Sequence, residues 1–421
     1  MNFTNLTSIL LITCLIPNYY LFGQPTTENT VFDPNIKTIL IYPASDPSQS
    51  NILPSAIDIN GRTPLVLKFD EINVEEAPYY FAKIYHCDAD WKKSSFSEMQ
   101  YLYDFNEFPV NNFEFSSNEK IPYTHFTFEI PKVKVPGNYI VMVYEENQET
   151  NPAFVRRFFV YDRKIGILAN ASTLGASYAS SEHQIEFTVD YSKYPVSDPM
   201  TELKIVIRQN YRWDNSLTNI QPSFIHLDIG QLVFRNFNLS NNFKSGNEFR
   251  FFDLTSVNYT MQNVHTITES NTRFDAYLMR DKFRGYEAYS MIKDLNGGFV
   301  IENKDYGNFL LDSEYVYVHF NLEIPEEVHD EIYVSGRLTD WKLSEECKLK
   351  LIDGSNIYTT QLLLKQGIYD YQYLVPGYTK NPNIIEGNHF QTKNNYEILV
   401  YYKHPVFRTD VLLGYTTFDS N

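Results

Sequence analysis

The sequence predicts an all-β protein built from three consecutive β-sandwich domains. Tyr and Phe are unusually frequent, at 33 and 31 of 421 residues, and aromatic side chains fit the pleated surface of a sheet well. Short β-branched and aromatic runs alternate with turn residues along the whole chain, which is typical of sandwiches. Long amphipathic helical stretches, which would indicate a mixed fold, are not found in the sequence.

The first group of candidate strands predicts a domain over residues 24–163. Its runs are separated by clusters of Pro, Gly, Asn and Asp, such as Pro136-Gly137-Asn138, because these residues favour turns. The candidate strands are residues 36–42, 64–70, 79–87, 124–130, 139–144 and 154–161.

Two further groups predict a central sandwich over residues 164–305 and a C-terminal sandwich over residues 306–421. Leu295-Asn296-Gly297-Gly298 is a turn signal near the boundary between them. The candidate strands of the central group are residues 184–190, which alternate with period two, and 203–210, 231–234, 249–252 and 277–279. Those of the C-terminal group are residues 315–320, 331–336, 358–364, 369–373 and 396–402.

The N-terminus predicts export. Residues 6–23 carry no charge, and a short apolar run ends at Pro17, so residues 1–23 have the pattern of a signal peptide. The run is too short for a membrane helix, which needs about 20 residues, and we expect no direct membrane span. Residues 1–5 contain no Lys or Arg, which leaves the cleavage site open.

Charge and cysteine content narrow the function classes. The net charge of −17 disfavours a nucleic-acid partner, which requires a basic face. Cys87 and Cys347 are the only cysteines after the signal segment. We interpret them as buried free thiols, with a bridge between domains as the open alternative.

Motifs for catalysis, cofactor binding or metal binding are weak, and we predict a protein that is not an enzyme and needs no cofactor. His86-Cys87-Asp88 offers metal-ligating atoms, but in a strand His86 and Asp88 share one face while Cys87 points to the other. A turn over residues 88–91 is the better interpretation. The sequence contains no nucleophile elbow, P-loop or dinucleotide fingerprint. We therefore assign no catalytic, cofactor-binding or metal-binding residues.

Two motifs are more specific. Residues 246–253 open with Gly246, which tolerates positive φ, and lead into an alternating strand in which Arg250 and Asp253 could pair. The segment 333–341, which ends at Trp341, together with 362–373 resembles the strand–loop–Trp pattern of early-set immunoglobulin-like domains, including glycogen-binding modules. The resemblance makes Trp341 a candidate glycan or partner contact; a core position is the alternative.

The wider chain resembles the plug protein family of the Bacteroidetes type IX secretion system. This resemblance implies a periplasmic protein associated with the outer membrane, which caps the periplasmic opening of a giant β-barrel translocon and prevents leakage when no cargo is in transit. A glycan-binding sandwich protein of the cell envelope is the alternative. The segments that carry the resemblance are residues 85–91, 137–139, 156–160, 246–253, 364–367, 385–390 with Thr392, and 412–415. Neither the contact face, the trigger for release nor the oligomeric state can be predicted from these segments.

Overall fold

The structure is a computed structural model that describes residues 26–46, 52–72, 76–117, 119–172, 182–235, 239–325, 330–377 and 382–420. The expected signal peptide, residues 1–23, lies outside the described residues. Among the helices that the structure describes, none is long and apolar enough to cross a membrane.

The first module is a sandwich of two mostly antiparallel sheets. One sheet has the order β1-β10-β9-β5-β6 with β3 beside β10, and the other has the order β2-β4-β8-β7. A short helix, α1 Glu98–Tyr101, follows β5. The strands are β1 Thr30–Val31, β2 Ile36–Pro43, β3 Ala56–Asp58, β4 Leu65–Ile72, β5 Tyr80–Cys87, β6 Phe108–Val110, β7 Asn112–Phe115, β8 Tyr123–Glu129, β9 Gly137–Glu145 and β10 Phe154–Tyr161.

The remaining strands form two more modules. The second begins with β11 Gly166–Ser172, β12 Glu182–Asp190, β13 Leu203–Gln209, β14 Leu217–Thr218, β15 Phe224–His226, β16 Gln231–Phe234 and β17 Asn242–Lys244, with helix α2 Pro199–Glu202. The third contains β18 Arg250–Asp253, β19 Val264–Glu269, β20 Phe274–Leu278, β21 Asp281–Lys282, β22 Phe299–Ile301, β23 Tyr315–Glu323, β24 Tyr333–Ser335, β25 Lys350–Leu351, β26 Ile357–Lys365 and β27 Gly367–Leu374. Two 3-10 turns, Arg337–Thr339 and Glu345–Cys347, follow β24. The chain closes with β28 Asn395–Lys403 and β29 Asp410–Asp419.

The strand pairing departs from the expected linear division at residue 305. Strand β13 pairs with β28 along its full length, and β28 pairs with β29. The last two strands therefore complete a sheet of the second module, while β18 to β27 form the two sheets of the third. The reason is physical: β13 has short β14 on one side only, and its other edge needs a partner of matching length.

The all-β fold class is confirmed, and the cores follow the alternation of the sequence. In β23, Val316, Val318, Phe320 and Leu322 are all fully buried in the core of the third module. Burial of each such side chain contributes roughly 1.5–3 kcal/mol relative to exposure. The cores of the first and second modules merge into one continuous apolar cluster that joins strands β4, β12 and β28.

The first and second modules are also joined by polar contacts. The backbone N–H of Ala89 donates to the Asp410 carboxylate at 3.1 Å, and the N–H of Asp410 donates to Asp88 at 3.0 Å. In the same interface the buried hydroxyl of Tyr401 donates to Asn138 at 2.8 Å. Reciprocal, buried bonds of this kind fix the relative orientation of the two modules.

A buried ionic network joins the first and third modules. Asp70 Oδ2 lies 2.7 Å from Lys365 Nζ and accepts from the Tyr315 hydroxyl at 2.7 Å, and Asp70 Oδ1 lies 2.6 Å from His125 Nδ1. Thr38 Oγ1 lies 2.6 Å from the same Tyr315 hydroxyl. Asp70 and His125 belong to the first module and Lys365 and Tyr315 to the third, so the network crosses the boundary.

Candidate binding site

Trp341 follows a tight turn of the third module. The N–H groups of Thr339 and Trp341 both donate to the Gly336 carbonyl, at 3.1 and 2.9 Å. Asp340 and Trp341 have φ values of +51° and +59°, so two successive residues that are not glycine adopt the left-handed conformation. Such a conformation costs roughly 1–2 kcal/mol per residue. The surrounding contacts offset this cost and hold the indole in one place.

The indole of Trp341 is half-buried and packed, so it is neither a free platform nor a full core residue. The Arg212 guanidinium lies 4.3 Å from the ring centroid, and Phe249 meets the ring edge-on at 5.9 Å. Gly297, at φ +77°, is in a turn where a Cβ atom would overlap the indole. This is the turn that Leu295-Asn296-Gly297-Gly298 predicts, and it is closed by the Gly298 N–H donating to Leu295 at 3.0 Å.

Trp341 lines a cavity of about 310 Å³ where all three modules meet. Five basic side chains reach this cavity, and we call it the basic cleft: Arg156 and Arg157 of β10, Arg208 of β13, and Arg337 and Lys342 around the turn of Trp341. Three aromatic side chains of the second and third modules also line it, namely Tyr211, Trp213 and Trp341.

Among the residues that the structure describes, two of the five cations of the basic cleft form an ion pair with a carboxylate. Arg156 Nη2 lies 2.8 Å from Asp340, and Arg208 Nε donates to the buried Glu397 at 2.7 Å. Asp214, which also lines the cleft, is held instead by Arg212, whose Nε donates to it at 3.0 Å.

Arg157 and Arg337 contact aromatic rings and carbonyl groups. Among the described residues, Glu28 attracts Arg157, and Glu397 and Asp340 attract Arg337, without a direct ion pair. Arg157 Nε donates to the Thr27 carbonyl at 2.6 Å, and its guanidinium lies 4.2 Å from the Trp91 ring and 5.5 Å from that of Trp213. Arg337 donates to Leu53 at 3.4 Å and lies 5.0 Å from the Tyr211 ring. Burial lowers the pKa of each guanidinium to about 10.

The His86-Cys87 segment is structural in this fold. His86 packs edge-on against Phe96 and Tyr139, with centroids 5.1 and 4.9 Å away, and burial lowers its pKa to about 4. Cys87 lies on the opposite face, as predicted, in a cluster with Trp91. The predicted turn is confirmed, since the Trp91 N–H donates to Asp88 at 2.9 Å. In the part of the chain that the structure describes, no group of three or more His, Cys, Asp or Glu side chains could hold a metal ion.

The structure also tests the expectations for the two cysteines and for the Arg250–Asp253 pair. Cys87 and Cys347 are both free and buried, which confirms the thiol interpretation. The expected pairing of Arg250 with Asp253 is wrong. Strand β21 and the turn at residues 382–386 offer Arg250 other partners: its Nη1 lies 2.8 Å from Asp281 and its Nε 3.1 Å from Glu386.

The sequence interpretation found Trp341 but missed the charged half of its surroundings. Arg156-Arg157 is an adjacent pair of charges inside a strand whose other residues are apolar or aromatic. A charged side chain at a core position of a strand needs a partner or a cavity. The Arg156-Arg157 pair was therefore the sequence signal from which this charged site could have been predicted. Arg208 and Arg337 gave no comparable signal, because only the fold brings strand β13 and the 3-10 turn that begins at Arg337 to the same cavity.

Comparison with solved structures gives a relative over nearly the whole chain. A hypothetical protein from Parabacteroides merdae ATCC 43184, known from a crystal structure at 2.30 Å resolution, is 30% identical to this chain. The match covers 93% of this chain and 99% of that one, with a TM-score of 0.86. A search of the curated proteins gives no match.

The family comparison agrees with the segments that carry the resemblance in the first module. Residues 36–162 match the model described as "Type 9 secretion system plug protein 1st domain". These residues include β2 to β10 and the Arg156-Arg157 pair of the basic cleft. The first module of this chain therefore belongs to the type 9 secretion system plug protein family as its first domain.

Proposed function

We propose that this chain acts as a plug that caps the periplasmic opening of the outer-membrane translocon barrel of the type IX secretion system. The match of residues 36–162 to the plug family is the observation that carries the proposal. In this role the protein is exported to the periplasm, docks on the outer-membrane barrel and catalyses no reaction. It prevents leakage through the barrel when no cargo is in transit.

The architecture suits a cap. A plug has to span a wide opening without bending, and the merged core of the first and second modules makes them one body. The Asp70 to Lys365 network adds the third module to that body. Buried ionic networks that lose one partner are costly, so bending at this boundary is strongly opposed.

The exposed apolar residues of the second module offer a contact surface. Around β15, an edge strand of its sheet, Phe224, Ile225, Leu227 and Ile229 have exposed fractions of 52%, 45%, 68% and 51%. Exposed apolar edges mark interaction sites or aggregation hazards. We propose that this hairpin, residues 224–229, contacts the translocon.

The glycan-binding alternative is less compatible with the geometry at Trp341. A sugar ring that stacks on the indole requires an open face, whereas the Arg212 guanidinium covers one face at 4.3 Å. A glycan array with the wild type and Trp341→Ala tests this alternative directly. Binding of any sugar that Trp341→Ala abolishes would support it.

Two experiments test the plug role. Affinity capture of the tagged protein from outer membranes in mild detergent is expected to recover a very large β-barrel protein. Deletion of the gene is expected to make the outer membrane permeable to a large hydrophilic antibiotic, with rescue by the full chain. A variant without residues 1–23 is the matched control, because it stays in the cytosol and is expected not to rescue. Capture without a barrel protein, together with unchanged permeability, would refute the proposal.

A further inference from the structure

The basic cleft is lined by five cations and by three carboxylates, Glu28, Asp214 and Asp340, so it holds more positive charge than its own carboxylates balance. Arg157, Arg337 and Lys342 have no carboxylate oxygen within 4.0 Å of their nitrogens among the described residues, whereas Arg156 and Arg208 do. This concentration of cations occurs in a chain whose net charge is −17. Charges that are held together and partly removed from water reduce stability unless something compensates them.

Each unpaired guanidinium also has free donor capacity. A guanidinium carries five N–H donors, and the described contacts of Arg157 and Arg337 include one carbonyl each, Thr27 and Leu53. Stacking on Trp91, Trp213 and Tyr211 fixes the planes of the two groups. Since their planes are fixed in advance, binding of an oxyanion loses little side-chain entropy.

The volume of the basic cleft and the negative charge of the rest of the protein limit which ligands can bind there. A volume of about 310 Å³ is at the lower end of ligand pockets and accommodates a few side chains. The acidic remainder of the protein repels nucleic acids and anionic lipid surfaces at distances up to about a Debye length, roughly 8 Å at physiological salt. A short segment with one or two carboxylates experiences little of this repulsion and matches the planar fork of arginine.

We propose that the basic cleft binds Asp or Glu side chains of an acidic peptide segment from a partner protein. Arg157 and Arg337 donate to the carboxylates, Lys342 attracts them at the rim, and Trp213 and Trp341 contact the aliphatic parts of the segment. The proposal does not depend on the plug role, because it concerns a cleft that can be studied in the isolated protein.

Tryptophan fluorescence can be used to measure peptide binding in the basic cleft. The chain has three: Trp213 and Trp341 line the cleft, and Trp91 lies edge-on to Trp213 with centroids 4.9 Å apart. Intrinsic fluorescence of the full chain therefore reports occupancy. Titration with a blocked six-residue peptide that contains one Asp and one Glu is expected to give a saturable change that weakens with added salt. The same peptide made with Asn and Gln is expected to give none.

Charge-removing variants decide between binding and a purely structural role. Arg157→Gln, Arg337→Gln and Lys342→Gln are each expected to weaken peptide binding by about tenfold or more. Lys342 is exposed and donates only to Thr30 Oγ1, at 3.3 Å, in the described contacts, so its variant is expected to fold even if the arginine variants do not. Arg163→Gln is the matched control, because Arg163 pairs with Asp58 outside the cleft.

Several outcomes would overturn the proposal. One is the lack of a saturable signal with the acidic peptide; another is equal affinity in the Lys342→Gln and Arg163→Gln proteins. Inorganic phosphate that binds as tightly as the peptide would show a phosphate site instead. Binding to phosphatidylglycerol vesicles or to single-stranded DNA without peptide binding would assign the cleft to a different class of partner.

Discussion

Replacement of Lys365 by Met is expected to destabilise the protein strongly at the boundary between the first and third modules. Lys365 and Asp70 have side-chain exposures of 1% each, and their charged atoms are 2.7 Å apart. Burial alone would raise the pKa of Asp70, but the charge of Lys365 and hydrogen bonds from His125 and Lys365 lower it. The variant leaves this carboxylate buried without its cation, and such a loss costs about 3–5 kcal/mol.

A double-mutant cycle separates the loss of the ion pair from the loss of packing. Asp70→Asn combined with Lys365→Met removes both charges, while the Asn side chain still accepts from Tyr315. We expect the double variant to be more stable than Lys365→Met alone, since no unpaired charge remains. Lys92→Met is the control, because the Lys92–Asp90 pair has side-chain exposures of 81% and 51% and its loss is expected to be unmeasurable.

The pH dependence of the stability of Lys365→Met provides a second test of the unpaired Asp70 carboxylate. In Lys365→Met the pKa of Asp70 is expected to rise above its unfolded value, so that the folded protein binds a proton that the unfolded chain releases. Stability relative to the wild type then falls as pH rises from about 4 towards neutrality. The assay is urea-induced unfolding of a protein that comprises residues 24–421, monitored by circular dichroism. A cost below about 1 kcal/mol at pH 7, within the range of exposed pairs, would refute the conclusion that the network is buried.

Three further predictions follow from the described geometry. Gly137→Ala is expected to lower stability by about 1–3 kcal/mol through overpacking, because the new Cβ atom would overlap the His86 imidazole; an unchanged urea midpoint would contradict this. Burial raises the pKa of Asp370 to about 8, so stability is expected to fall as pH rises from about 5 to about 8, and Asp370→Asn is expected to flatten that slope when unfolding is followed at several pH values. If residues 224–229 contact the translocon, Leu227→Asp is expected to reduce recovery of the barrel by about fivefold or more without loss of folding, while Leu168→Asp, at a leucine that is 80% exposed, leaves it unchanged.

Much of the fold could be predicted from local patterns. The candidate strands at residues 154–161 and 231–234 match β10 and β16 residue for residue, because alternation and turn chemistry are local properties. The pairing of β13 with β28 could not be predicted. It depends on which edge is left open after the other strands have paired, and both strands have similar β-branched and aromatic composition.

The candidate site was predictable only in part, for the same reason. Trp341 follows a recognisable strand–loop pattern, and this made it a candidate contact. Arg157, Arg208 and Arg337 lie in different modules, and only their three-dimensional arrangement shows an excess of charge. Arg250 shows the limit of local reasoning as well, since Asp253 is near in sequence whereas Asp281 and Glu386 are its partners in space.

The closure of the second module by β28 has a consequence for biogenesis. The Arg208–Glu397 pair joins residues that are 189 positions apart in the chain. While residues 395–419 are still missing, β13 presents an open edge to other chains, which favours aggregation. Synthesis therefore cannot yield a finished second module ahead of the third. Premature termination anywhere in the third module would leave a product with this edge exposed, and quality-control proteases could recognise it.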